Sequence, residues 1–176
     1  MTAAETWTTE RLILRKPIRA DETGVFAYAR DPEVTRFMSW PRHTHLRDTR
    51  EFLELSDSCW ETWSGGPLLI CDRATGAVLG STGFFFVSKT RAETGYVLAR
   101  KWWGRGYATE ALKGTLALAP ELGLLDVYAK CHPENPASIR VLQKCGFRDG
   151  GLTDEDEAFP NHEKGAVKAL VFLKNL

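Results

Sequence analysis

The sequence predicts a mixed α/β domain, a single sheet with helices packed against it. Three observations lead there. Short apolar segments recur along the chain, and two of the early ones are joined by a tight turn. Longer segments between them carry apolar residues at helical spacing. In the second half the two kinds alternate as strand, helix, strand.

Taken in order, RLILR (11–15) alternates and is bounded by polar residues, which reads as a strand. Asp21 precedes a short helical pattern carrying Val25, Phe26 and Ala29. A second helix is expected after Thr44. Its apolar positions Phe52, Leu53, Leu55, Cys59, Trp60 and Trp63 fall near helical spacing, and Gly65-Gly66-Pro67 stops it. PLLICDRATGAVLGSTGFFFV (67–87) reads as two strands joined at Arg73-Ala74-Thr75-Gly76, with glycine supplying positive φ. TGYVLA (94–99) is a further strand.

From 107 onward Ala108, Ala111, Leu112, Thr115, Leu116 and Ala119 line up as one buried stripe of a helix ending near Gly123. LDVYAKC (125–131) is another strand and NPASIRVLQKCGF (135–147) another helix. Asn135 suits its N-cap, Pro136 its first turn and Gly146 its left-handed C-terminal residue. A last strand is expected over 166–173.

Composition narrows the function classes. With no repeat, linker or low-complexity stretch, the 176 residues fit one domain, 1–176, able to bury a core without disulfides or metals. Lysine plus arginine number 23 and aspartate plus glutamate 23, so the formal charge is zero. Duplex nucleic acid demands a basic footprint, and a polybasic membrane anchor would need one too, so neither partner is expected. No apolar run approaches the ~20 residues of a bilayer-spanning helix. MTAAETWTTERLILR lacks a basic segment followed by a hydrophobic one, and no signal peptide is expected. Cys59, Cys71, Cys131 and Cys145 stand singly, as reduced thiols of a cytoplasmic protein do. Cys131, His132 and Cys145 match no common zinc spacing, so no metal site is expected.

The most informative stretch is KWWGRGYATEAL (101–112). A Walker-type loop would need four residues between its glycines and then Lys-Ser or Lys-Thr, and has neither here. A dinucleotide fingerprint would need a third glycine where Thr109 stands. Two readings stay open. The glycines serve a tight helix entry and nothing more, or they let an anion such as a pyrophosphate approach the unpaired amides at the start of the helix.

Beyond single motifs, TERLILRKPIRADE, DPEVTRFMSW, LGSTGFFF, AETGYVLARKWWGRGYATEAL and HPENPASIRVLQKCGF occur in order. Together they resemble the GCN5-related N-acetyltransferases (GNAT family), and within them the RimJ/RimL-like branch that acetylates ribosomal-protein N-termini. The resemblance covers about residues 8–173. It implies a GNAT fold: a mixed, mostly antiparallel sheet of six or seven strands with helices on both faces. Acetyl-CoA would bind where two central parallel strands splay apart.

The family signature falls on Trp103, Gly104, Arg105, Gly106, Tyr107 and Ala108, with Trp103 replacing the usual Gln or Arg. By the same resemblance, main chain from Trp103 to Thr109 would hold the pyrophosphate. Main chain at Tyr96, Val97 and Leu98 would bond the pantetheine arm. Asn135 would touch the pantetheine or the departing thiol, and Ser138 would face the sulfur. A homodimer is also implied.

Acetyl transfer from a thioester to an amine needs a proton acceptor, a donor to the oxyanion and a stabilised leaving thiolate. Glu93, at the mouth of the cofactor strand, is the candidate base, the alternative being an exposed strand carboxylate. Ser138 is the candidate sulfur-facing hydroxyl, against a solvent-facing serine. A strand N–H near Val97 is the candidate oxyanion donor. Phe37, Trp40 and Trp102 are candidate walls of an acceptor groove, against core or rim aromatics. Asp154-Glu155-Asp156-Glu157 is expected as a solvated loop between the last two strands, with attraction of a cationic amine as the alternative. His43 and His45 receive no role. The expected activity is N-acetylation of an amine, either a protein N-terminus or a small amine such as a polyamine, aminoglycoside or amino acid. A CoA-binding sensor without turnover is the reading from another class.

Overall fold

The computed structural model describes residues 6–176. Residues 1–5, on which the no-leader reading partly rests, lie outside the described residues. Strands β1 (Thr6–Thr8) and β2 (Leu12–Arg15) lead into helices α1 (Glu22–Ala29), α2 (Pro32–Thr35) and α3 (Leu46–Trp63). The hairpin β3 (Pro67–Asp72) and β4 (Val78–Phe86) follows, then β5 (Arg91–Leu98) and α4 (Tyr107–Leu118). The chain closes with β6 (Asp126–Cys131), α5 (Pro136–Lys144), β7 (Arg148–Ala158) and β8 (Ala166–Asn175).

The strands form one sheet in the order β1-β2-β3-β4-β5-β6-β8-β7, with β5–β6 its parallel pair. The expected mixed, mostly antiparallel sheet is therefore present, with eight strands where six or seven were implied. Alternation along the strands builds a core on each face. Leu12, Leu14, Leu68 and Ile70 point toward α4 and α5, where Ala111, Leu112, Leu116 and Leu142 meet them. Leu69, Cys71 and Val97 point the other way, against Val25, Tyr28 and Ala29 of α1 and Val34 of α2.

Local chemistry sets the boundaries. Asn135 Oδ1 accepts from Ser138 N–H at 3.2 Å, as an N-cap should. At the far end of α5, Gly146 has φ 81°, and Phe147 N–H turns back to Leu142 O at 3.1 Å. The stripe of α4 was expected to run to near Gly123, but the helix stops at Leu118. Pro120 explains this, since it lacks the N–H that would continue the ladder to Leu116 O, and Ala119 N–H donates there instead at 3.2 Å.

One expectation is overturned. The acidic run Asp154–Glu157 lies inside β7, not in a loop. RDGGLTDEDEA lacks apolar alternation and reads as non-strand, yet it pairs with β8 along the outer edge. An edge strand needs only one paired side, and charges there discourage pairing with another chain.

The feature that positions the site is where pairing stops. β5 and β6 are in register at Arg91–Asp126, Ala92–Val127 and Glu93–Tyr128, and no further. Both strands continue, β5 to Leu98 held by β4 and β6 to Cys131 held by β8. Their facing edges separate. Close approach on the other side of β5 holds it there, because a Cβ at Gly80 would lie 1.9 Å from Val97 O. Replacing Gly80 by alanine should force β4 and β5 apart and cost about 1–3 kcal/mol, read as a lowered denaturation midpoint in urea.

Candidate active site

Past Leu98 the chain turns through Arg100–Trp102 into the stretch Trp103–Gly106 and then α4. Gly104 and Gly106 have φ of 72° and 80°, a left-handed backbone in which a side chain is strained. The first bond of α4 runs from Glu110 N–H to Gly106 O at 3.0 Å. The amides of Tyr107, Ala108 and Thr109 thus precede the helix ladder. Among the described residues, no protein acceptor meets the amides of Gly104, Arg105 and Gly106 either. Six consecutive N–H groups are available at the positive end of a helix. Trp103 differs from the expectation for it, because its amide already donates to Arg100 O at 3.1 Å. Its indole Nε1 instead donates to Leu98 O at 2.7 Å, tying the turn to the end of β5.

A clamp from the β1–β2 hairpin holds this turn. Glu110 Oε1 accepts from Thr9 Oγ1 at 2.6 Å and from Arg11 N–H at 2.8 Å, and Oε2 accepts from Arg11 Nε at 2.7 Å. Arg11 Nη1 also donates to Arg105 O at 3.1 Å, and the guanidinium lies 4.2 Å from the Tyr107 ring centre. Burial alone would raise the Glu110 carboxyl. The bonds from Thr9 and Arg11 outweigh burial and hold it below the usual range.

Where β5 and β6 part, a cleft of about 650 Å³ opens, lined by Glu93, Tyr96, Val97, Asn135 and Ser138 among others. Tyr96 hydroxyl and Ser138 Oγ are 2.8 Å apart. Burial pushes the Tyr96 phenol well up, partly offset by Ser138, so both groups stay neutral hydroxyls. Cys131 also borders this cleft, and burial raises its thiol, which disfavours the thiolate. Phe37, Trp40, Phe85, Glu157 and Phe159 line the same cleft. Lys130 Nζ lies 2.8 Å from Glu157 Oε1 and 3.9 Å from Glu93 Oε2. Burial alone would depress its ammonium, and the two carboxylates hold it up instead.

The chain matches the acetyltransferase (GNAT) domain over residues 11–148. It is 33% identical over 156 residues to an uncharacterized N-acetyltransferase p20 of Bacillus licheniformis, covering 87% of this chain and 88% of that one. The chain belongs to the GNAT family. A GNAT acetyltransferase of Bacillus anthracis superposes with a TM-score of 0.83 at 26% identity, covering 97% and 98% of the two chains. In fold the chain is also similar to RimL, a ribosomal L7/L12 alpha-N-protein acetyltransferase solved in complex with coenzyme A. There the TM-score is 0.84 at 17% identity, with 96% of each chain covered.

For a GNAT enzyme the sequence-level site is drawn together in two places along β5. Glu93, Tyr96, Val97, Asn135 and Ser138 meet at the cleft. Leu98 joins it to the turn, where Trp103, Gly104, Arg105, Gly106, Tyr107, Ala108 and Thr109 lie. Phe37 and Trp40 do line the cleft, whereas Trp102 does not. Its ring packs edge-on to Tyr107, 5.6 Å between centres, on the α4 side of the sheet. Sequence reasoning missed Thr9, Arg11 and Glu110, whose contacts span about a hundred positions. It also missed the Tyr96 hydroxyl, and it named Glu157 only as one of four acids that could attract a cationic amine. A signal existed for Glu110 alone, an acid in the first turn of a helix.

The clamp has a pH signature. The Glu110 carboxyl is depressed in the folded chain, so its stabilisation is present above its unfolded value near 4.5 and is lost as pH falls through the folded value. Glu110→Gln should cost about 1–2 kcal/mol at pH 7. In urea titrations the difference from wild type should shrink as pH drops below about 4.5.

Proposed function

We propose that the chain is an acetyl-CoA-dependent N-acetyltransferase acting on a primary amine, with the α-amine of a protein N-terminus as the acceptor. One observation carries the reading: β5 leaves β6 between a turn of free amides and a paired tyrosine and serine hydroxyl. That layout suits a ligand with a diphosphate at one end and a thioester at the other. The coenzyme A in the structurally similar RimL supports the same ligand.

The diphosphate binds the amides from Gly104 to Thr109, where helix dipole and N–H groups favour anions. The pantetheine arm lies along the open edge of β5 at Tyr96, Val97 and Leu98. No metal is invoked.

The acceptor enters from the side of Phe37, Trp40 and Glu157. An α-amine has a pKa near ~8 against ~10.4 for lysine, so more of it is neutral at pH 7. Glu93 takes the proton, directly or through water, as the nitrogen attacks the thioester carbon. A main-chain N–H near Val97 donates to the oxyanion that forms. The C–S bond then breaks, and the thiolate takes a hydrogen bond or proton from Ser138. Tyr96, 2.8 Å from Ser138 Oγ, orients that hydroxyl and can replace its proton. Asn135 holds the first turn of α5, and with it Ser138, in place.

Thiol release with alanyl and seryl peptides tests the reading. Tight CoA binding with no turnover on any amine would make the chain a sensor instead. Ser138→Ala should lower kcat by about 10–100-fold while the Kd for CoA in calorimetry changes little; an unaltered kcat removes Ser138 from the chemistry. Gly106→Glu places a strained, charged side chain among the amides. CoA affinity should fall at least a hundredfold, about 2.7 kcal/mol, and an unchanged Kd would overturn the diphosphate assignment.

A further inference from the structure

Gly95 stands near the middle of β5, a central strand of the sheet, and it is exposed. A glycine there weakens the strand, because it offers no side chain to pack and loses more freedom on folding than other residues do. Sterics do not require it. Among the described residues, a Cβ built on Gly95 would meet no atom within 4 Å, and its φ lies outside the left-handed region. Gly80 and Gly83 differ, since a Cβ on either would strike main chain, 1.9 Å from Val97 O and 2.5 Å from Gly66 O. The missing side chain at Gly95 leaves room, and a strand glycine of this kind marks the close approach of a ligand.

The room opens on the face that carries Glu93. Alternation puts Glu93, Gly95 and Val97 on one side of β5, the side on which Val97 packs against α1 and α2. Across β4 the partner of Gly95 is Gly83, and pairing with β6 has ended at Glu93, so neither neighbouring strand sets a paired side chain beside it. Gly95 lines the cleft together with Phe37, Met38, Trp40, Phe52, Leu55 and Phe85, a largely apolar wall. Leu55 and Phe85 are 54% and 48% exposed, so that wall runs out to solvent.

The wall is held in place by the protein itself. Asn161, in the turn between β7 and β8, donates from Nδ2 to Thr35 O at 2.9 Å and to Trp40 O at 2.8 Å. Its Oδ1 accepts from Arg42 N–H at 2.8 Å. Phe37 is packed on the rings of His132 and His162. A preformed apolar surface suits an apolar group, because little has to be ordered when it binds.

Two groups could fill the room, the acyl chain of the donor or a side chain of the acceptor. The open end favours the acceptor. An acyl tail ends inside its site, whereas an acceptor that continues as a chain has to leave toward solvent, past Leu55 and Phe85. Gly95 is two residues from Glu93, about 7 Å along the strand, within reach of a large side chain beside the reacting nitrogen. We propose that Gly95 is the floor of a subsite for a bulky apolar side chain of the acceptor, so that the preferred acceptor carries an aromatic or branched aliphatic group on the carbon bearing the amine. This rests on the amine-acetylating reading of the cleft and ranks its acceptors. Phenylalanyl and leucyl N-termini stand above alanyl and seryl ones, which leave the subsite empty. Gly95 is then a specificity-determining residue.

The test gives the full chain acetyl-CoA with alaninamide, leucinamide or phenylalaninamide, and hexanoyl-CoA as a second donor. In wild type, kcat/KM for the two bulky amides should exceed that for alaninamide by about tenfold or more, chiefly through KM. Gly95→Val fills the room with a residue that suits a strand, so its denaturation midpoint in urea should not fall below wild type. In that variant the ratio of kcat/KM for phenylalaninamide to that for alaninamide should drop about tenfold, with Gly95→Ala in between and the CoA Kd in calorimetry little changed. No preference for bulk in wild type, or an unaltered ratio in Gly95→Val, overturns the subsite and leaves amine acetylation standing. A CoA Kd weakened in step with the ratio assigns the room to the cofactor instead. A wild-type preference for hexanoyl-CoA that Gly95→Val abolishes assigns it to the acyl chain, and either result overturns the proposal. Thiol release with none of the amines overturns the acetylation reading as well.

Discussion

Everything the site can do depends on the loss of hydrogen bonding between β5 and β6 beyond Glu93 and Tyr128. A continuous parallel ladder would engage the main-chain groups at the centre of the sheet and leave no room for a ligand. Separation exposes them and opens the interior between the two helical layers. Each strand keeps its outer partner, β4 for β5 and β8 for β6, so the cleft opens without destabilising the sheet around it. Gly80 supplies the close packing that lets β5 keep this course.

The turn after β5 shows how the fold supports a cluster of unpaired donors. Left-handed glycines bring the amides together, and the positive end of α4 points at the same place. Such a turn has little to hold it from within. Arg11, Thr9 and Glu110 bind it from outside, joining the first hairpin, the turn carbonyl of Arg105 and the first turn of the helix in one network. Its charge balance places a carboxylate beside the helix N-terminus without occupying the amides. The polar pair Thr82 and Thr115, 3.1 Å apart and buried, fastens the middle of the same helix to the sheet.

Across the sheet, the cleft is built from elements that have little in common in sequence: Phe37 after α2, Glu93 from β5, Lys130 from β6, Glu157 from β7 and Phe159 beyond it. The acidic run illustrates the point. As a string of four carboxylates it reads as solvated loop, and most of it is indeed exposed. Within the run Glu157 lines the cleft and meets Lys130, where β7 pairs with β8 opposite Val167.

By itself the sequence determined those features whose causes are local. Helical and strand periods, the Asn135 cap, the glycine turn and the order of elements all arise from residues within a few positions of one another, and so they were legible. The family motifs added the parallel strands and the expectation of a coenzyme A ligand between them. Three kinds of feature needed the tertiary structure. Strand β7 exists because β8 offers an edge, the Glu110 clamp joins residues far apart in the chain, and the packing of His132 on His162 joins the end of β6 to the turn between β7 and β8. Pairing, long-range hydrogen bonds and ring packing are settled by what folding brings alongside, and no local pattern carries that information.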